Sequence, residues 1–94
     1  MRLRLTTRAY NDLEAISSFF EERNPQAATA LFAVFERVFE GLQTMPLRGR
    51  ETDIPHVRCV VIPRIPYRVF YRLTADTIEI LSVFHTSRDP RDVE

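Results

Sequence analysis

The 94 residues contain no lysine and no tryptophan, one cysteine, two glycines, and nowhere an unbroken apolar run long enough to cross a bilayer. Each shortage excludes something. The single Cys59 rules out an internal disulfide framework and suits a reducing compartment. The opening "MRLRLTTRAY" lacks the apolar stretch of a secretory signal, and no later segment reaches the roughly 20 apolar residues of a membrane span. A cytoplasmic location with no membrane partner is therefore expected. The formal charge of zero argues against a protein that grips nucleic acid through net charge, so no sequence-specific nucleic-acid binding is expected. There is no glycine-rich phosphate loop and no hydroxyl nucleophile beside a base. His56 and Cys59 stand at H-x-x-C spacing, but two ligands do not close a zinc site. Neither metal nor cofactor is expected.

The missing lysine leaves arginine as all thirteen basic residues. A GC-rich genome alone can produce that bias, yet the planar guanidinium also suits carboxylate and phosphate better than a point charge does. The charges are unevenly spread. Asn11 to Glu40 holds six acidic residues and two arginines, net −4, whereas Arg48 to Arg72 holds six arginines against Glu51 and Asp53, net +4. The molecule should be electrically two-sided.

Hydrophobic residues make up 45% of the chain and charged residues 28%, an ordinary globular balance for one domain over residues 1–94, with a loose tail at 89–94. "RLRLT" alternates strictly and reads as a short strand with Leu3 and Leu5 on its buried face. Thr6 or Thr7 then caps a helix whose apolar positions Ala9, Leu13, Ile16 and Phe20 recur at steps of four, three and four. Asp12 and Glu14 sit near its positive end. Asn24 and Pro25 restart the helix as cap and first residue, and the row Ala28, Leu31, Phe32, Phe35, Val38, Phe39 and Leu42 carries it towards Pro46. The two helices should form a hairpin whose four inward-pointing phenylalanines, Phe20, Phe32, Phe35 and Phe39, are core.

"PLRGRETDIP" reads as a loop. Three β runs follow, His56 to Ile62, Tyr67 to Leu73 and Thr77 to Phe84, joined by "PRIP" and "TAD", which are short enough for antiparallel hairpins. The order β-α-α-β-β-β indicates an α+β fold, with the helical hairpin on one face of an antiparallel sheet. If Leu3, Leu5, Val69 and Tyr71 face the helices, the other face carries Arg2, Arg4, Arg58, Val60, Ile62, Arg68, Phe70 and Arg72. The last strand, "IEILSVF", is apolar on both parities, as expected of a strand covered on both sides. A domain this small cannot supply the second cover, so a partner protein is expected there.

The pattern "AYNDLEAISSFFEERNPQAA", "MPLRGRE", "VRCVVIPRIPYRVFYRL" and "IEILSVFHTSRDP" resembles, in that order from Leu3 to Pro90, the ParE branch of the RelE/ParE toxins of type II toxin–antitoxin modules. The resemblance implies a toxin neutralised by a ParD-like antitoxin in a hetero-oligomer. It further implies that ParE-type members inhibit DNA gyrase, whereas RelE-type members cleave mRNA on the ribosome. Fold is common to both branches, so the site must choose. RNA cleavage needs a group to take the 2′-hydroxyl proton, a group to stabilise the leaving oxygen, and cations on the phosphate. The RelE pattern implies basic residues on the first of the three β runs, an arginine on the next, and an arginine and tyrosine near the C-terminus. Here the first positions are Cys59 and Val61, Arg68 is present, Thr86 replaces the arginine, and no tyrosine follows Tyr71.

These residues therefore point to a non-enzymatic toxin that binds a protein, with DNA gyrase as the expected target. Its expected partner-binding residues are Arg58, Val60, Ile62, Arg68, Phe70, Arg72, His85 and Arg88, because arginine and aromatics dominate interface centres. The enzymatic alternative is a ribosome-dependent mRNA endonuclease using His85, Arg68 and Arg88, with Glu51 as a candidate carboxylate. Without catalysis, His85 is a strand-end imidazole bonded to backbone or to Asp89. A third reading is a degenerate member that binds its antitoxin and poisons nothing.

Overall fold

The computed structural model describes residues 1–62 and 64–86. Its elements are β1 (Arg2–Leu5), α1 (Thr7–Arg23), α2 (Pro25–Thr44), β2 (Arg50–Glu51), β3 (Val57–Ile62), β4 (Tyr67–Leu73) and β5 (Thr77–His85). Two helices pack on a five-stranded sheet of order β1-β5-β4-β3-β2, an α+β fold as the sequence indicates. Arg88 and the tail at 89–94 lie outside the described residues.

Local chemistry sets the helix boundaries. The Thr6 side chain accepts a hydrogen bond from the Ala9 amide at 3.1 Å and caps α1. The Asn24 side chain accepts one from Ala27 at 3.2 Å, and Pro25 opens α2 where a missing N–H costs nothing. The apolar rows meet as expected. Ala9, Leu13, Leu31, Phe35, Val38 and Leu42 join Val69, Tyr71, Ile78 and Ile80 in the core, with Ile16, Phe20, Phe32 and Phe39 packed against it. Phe35 is the aromatic centre, edge-on to Tyr67 at 5.7 Å between ring centroids.

The sheet departs from the sequence expectation in three ways. First, it is mixed, because β1 runs parallel to β5 while the other pairs are antiparallel. The chain passes from β1 through both helices and the other strands before its last strand returns beside the first, and this long connection permits a parallel pairing that no hairpin allows. Second, the expected loop contains β2, whose Arg50 and Glu51 pair with Cys59 and Arg58.

Third, β5 contains a bulge. Phe70 pairs with Ser82 but the next residue, Tyr71, pairs with Ile80, so Leu81 is the extra residue. A bulge shifts the side-chain alternation by one. Ile78 and Ile80 face the core before it, and Val83 faces the core after it. The apolar character of both parities in "IEILSVF" thus comes from a change of phase, not from cover on two sides.

Candidate functional site

Register decides which side chains share a face, because directly paired residues project to the same side. Val60 pairs with Val69 and Ile62 with Tyr67, all four buried. Val60 and Ile62 are therefore core residues, contrary to their expected place on the open face. An even-numbered residue of β3 sits opposite an odd-numbered one of β4, so even numbers cannot mark one face across both strands. The β3 residues on the open face are Cys59 and Val61, opposite Phe70 and Arg68, together with buried Val57 opposite Arg72.

Arg58 is displaced by the same rule, pairing with Tyr71 on the helix side. Its guanidinium donates to the carbonyls of Gly49 at 2.7 Å and Leu47 at 3.2 Å and lies 3.4 Å from Glu51. Tyr71, fully buried, holds the same loop from within. Its hydroxyl donates to the Pro46 carbonyl at 2.8 Å and accepts from the Gly49 amide at 2.8 Å. Burial raises the Tyr71 pKa, so the hydroxyl keeps the proton it donates. These two anchors fix residues 46–51 and carry β2 to the sheet edge.

The open face then reads in rows. Arg50, Cys59, Phe70 and Ser82 form one, and Val61, Arg68 and Phe84 the next. Phe70 and Phe84 meet edge to face at 5.9 Å, and the Arg8 guanidinium stacks 4.9 Å from the Phe84 ring. Val61 is 57% exposed. A third row holds Arg4, Glu79 and Arg72, where Glu79 pairs with both arginines. Arg72 is thus on the open face as expected, but part of its charge is spent on Glu79. A depression of about 460 Å³ is lined by Arg48, Arg50, Cys59, Val60, Val61 and Arg68. Burial pushes the Cys59 thiol pKa up, while the positive charges of Arg68 and Arg50 pull against that shift.

His85 is not part of this face. It pairs with Tyr67 across β4, ring to ring at 5.4 Å, and Tyr67 points into the core. Arg68, one residue along, points the other way. Glu51 sits on β2, three strand spacings or about 14 Å from β5. The described members of the nuclease constellation, His85, Arg68 and Glu51, are therefore not brought together. Among the described residues no group of three or more His, Cys, Asp or Glu side chains could hold a metal, and no helix is long and apolar enough to cross a membrane.

Two features of the site went unforeseen. Beyond Ile80 the edge of β5 has no strand partner among the described residues, and the Asp12 carboxylate accepts the Val83 amide there at 3.0 Å. Beside it runs an apolar groove between α1 and β5, lined by Ile16, Phe19, Phe20, Tyr67, Phe84 and His85 among others. The helical position of Asp12 was legible in the sequence, but its strand partner 71 residues away was not.

This fold, a helical hairpin packed on a five-stranded mixed sheet, matches those of solved ParE and RelE toxin structures. The sequence model of the ParE toxin of the type II toxin–antitoxin system parDE matches residues 3–90, and the chain belongs to that family. It is 36% identical over 84 residues to Y4kP of Sinorhizobium fredii, a candidate toxin by name, covering 89% of this chain and 86% of that protein. The chromosomal ParDE system of P. aeruginosa contains a chain that superposes with a TM-score of 0.79 at 26% identity, covering 90% and 95% of the two chains. A chain of the toxin–antitoxin complex RelBE2 from Mycobacterium tuberculosis superposes with a TM-score of 0.61 at 29% identity, covering 89% and 95%. The protein is a toxin of a type II toxin–antitoxin system.

Proposed function

We propose that this toxin acts without catalysis, by binding a protein target, and that the target is DNA gyrase. A ParD-like antitoxin neutralises it by covering the open sheet face. The observation that carries this reading is the composition of that face. Arg50, Arg68, Phe70, Phe84 and Val61 supply charge and apolar contact area, the mixture that concentrates binding energy at protein interfaces. Its β3 positions are Cys59 and Val61, where RNA cleavage would call for basic side chains, and His85 lies on the other side of the sheet. The match to the parDE family favours gyrase over the ribosome, and the ParDE and RelBE2 systems among its structural relatives support an antitoxin partner.

The discriminating experiment is a supercoiling assay with purified toxin and gyrase, run beside a translation reaction in which ribosome-bound mRNA is followed. Loss of supercoiling or trapping of cleaved DNA, reversed by the antitoxin, is the expected result. Degradation of ribosome-bound mRNA with gyrase untouched would replace this reading with the endonuclease.

A further inference from the structure

The arginines of this protein are not equivalent once their partners are counted. Arg4 and Arg72 share Glu79, Arg8 faces Asp12, Arg23 faces Glu22, and Arg58 is tied to Glu51 and two carbonyls. Arg2, Arg37, Arg48, Arg50, Arg64 and Arg68 have no acidic partner among the described residues; Arg48, Arg50 and Arg68 line the depression, and of these three Arg50 and Arg68 stand on strands of the open face. These two project from β2 and β4 on either side of Cys59 and Val61, two strand spacings across and two residues along the strands, about 12 Å apart at the backbone. Side chains of that length reach one shared ligand between them. Arg68 is half-buried, and its Nε is covered with no acceptor. Such a group has lost hydration without a compensating bond, which raises the gain available from any anion that reaches its remaining nitrogens. No acidic side chain lines the depression.

Resting on the protein-binding reading above, we propose that Arg50 and Arg68 form a carboxylate receptor for one acidic side chain of the neutralising partner, presented on an otherwise apolar segment laid across the open face. Charge complementarity selects the acid, and the guanidinium fork fits a carboxylate in bidentate fashion. The flanking surface selects the rest of the segment. Exposed Val61 lies beside Arg68, and the Phe70–Phe84 pair lies beyond it. Neutral apolar neighbours on the segment pack there and exclude water from the ion pair, which strengthens it. Arg72 is not part of the receptor because it does not line the depression and Glu79 already answers part of its charge.

The test uses the complex of this chain with the product of the reading frame adjoining its gene. Affinity is measured for wild type, Arg50→Gln, Arg68→Gln and Arg72→Gln, and then with each Asp or Glu of the partner changed to Asn or Gln. Arg50→Gln and Arg68→Gln should each weaken the complex about tenfold, and Arg72→Gln less than threefold. One partner acid should match the loss, and combining its change with Arg68→Gln should add little further. Melting temperatures of the free variants should stay near wild type, since neither arginine makes an ion pair within the described chain. A complex that forms with wild-type affinity in both receptor variants overturns the receptor and leaves the protein-binding reading intact. Absence of any complex overturns both. Binding of a short RNA or of inorganic phosphate that depends on Arg50 and Arg68, with partner affinity unchanged, would assign the pocket to phosphoryl groups and refute the carboxylate.

Discussion

Replacing Gly49 by alanine tests the loop that sets one wall of the site. A Cβ built on Gly49 would lie 2.5 Å from the Tyr71 hydroxyl oxygen and 2.7 Å from its Cε1, where ordinary contact begins at 3.4 Å, a deficit of 3.4 − 2.5 = 0.9 Å. The ring cannot retreat, because Tyr71 is 0% exposed. The loop must move instead, straining the two 2.8 Å bonds that join the hydroxyl to Pro46 and Gly49. Overpacking costs about 1–3 kcal/mol, and a buried polar group left unpaired costs about 1–3 kcal/mol more. A loss of about 2–6 kcal/mol is expected, with a fall in Tm on the order of 10–50 °C for a domain of this size. With no tryptophan as a probe, far-UV circular dichroism during urea or thermal unfolding is the suitable assay. The double variant Gly49→Ala/Tyr71→Phe supplies the internal control. Removing the hydroxyl relieves the shortest contact, so the combined cost should be clearly smaller than the sum of the two single costs. Strict additivity, or a Gly49→Ala protein within 0.5 kcal/mol of wild type as surface changes commonly are, would refute the account of the loop.

Further outcomes can be checked in the same preparations. Phe35→Ala should lose about 3–5 kcal/mol, read by urea unfolding, as a truncation at the aromatic centre of the core. Asp12→Ala should remove the acceptor of the Val83 amide, speed its hydrogen exchange, and promote concentration-dependent association through the bared β5 edge; slow exchange at Val83 would count against the cap. The Cys59 thiolate should form at higher pH than a free thiol, because burial favours the neutral form. At a fixed mildly alkaline pH, alkylation should therefore lag, and Arg68→Gln should move the thiol titration further upward by withdrawing a positive charge. A downward move would show that Arg68 acts on the thiol mainly by covering it.

The elements were legible because each carries its own period. Leu31, Phe35, Val38 and Leu42 recur as one helical face, and Tyr67, Val69 and Tyr71 as one strand face, without reference to the rest of the chain. Relations between strands were less accessible. Nothing local states that residue 60 lies opposite residue 69, and a shift by one would have put Val60 and Ile62 in water. The bulge at Leu81 defeats parity in the same way, since an extra residue leaves no compositional mark in "IEILSVF". The arginines of the site were visible as residue types, but their roles depend on partners distant in sequence. Arg58 is an anchor because Gly49 and Leu47 present carbonyls to it, Arg72 shares Glu79 with Arg4, and Arg68 alone of these three is left without an ion pair among the described residues.

The parallel seam between β1 and β5 joins Arg2–Leu5 to Thr77–Ile80 across some 75 positions, with Arg4 and Glu79 as its ionic clasp. During synthesis the first strand leaves the ribosome long before its neighbour exists. The helical hairpin can form early, but its apolar side has no finished sheet to rest on until the final strand emerges. The sheet thereby cannot close before β5 is made, and a nascent chain cut short of Thr77 should lack the folded open face.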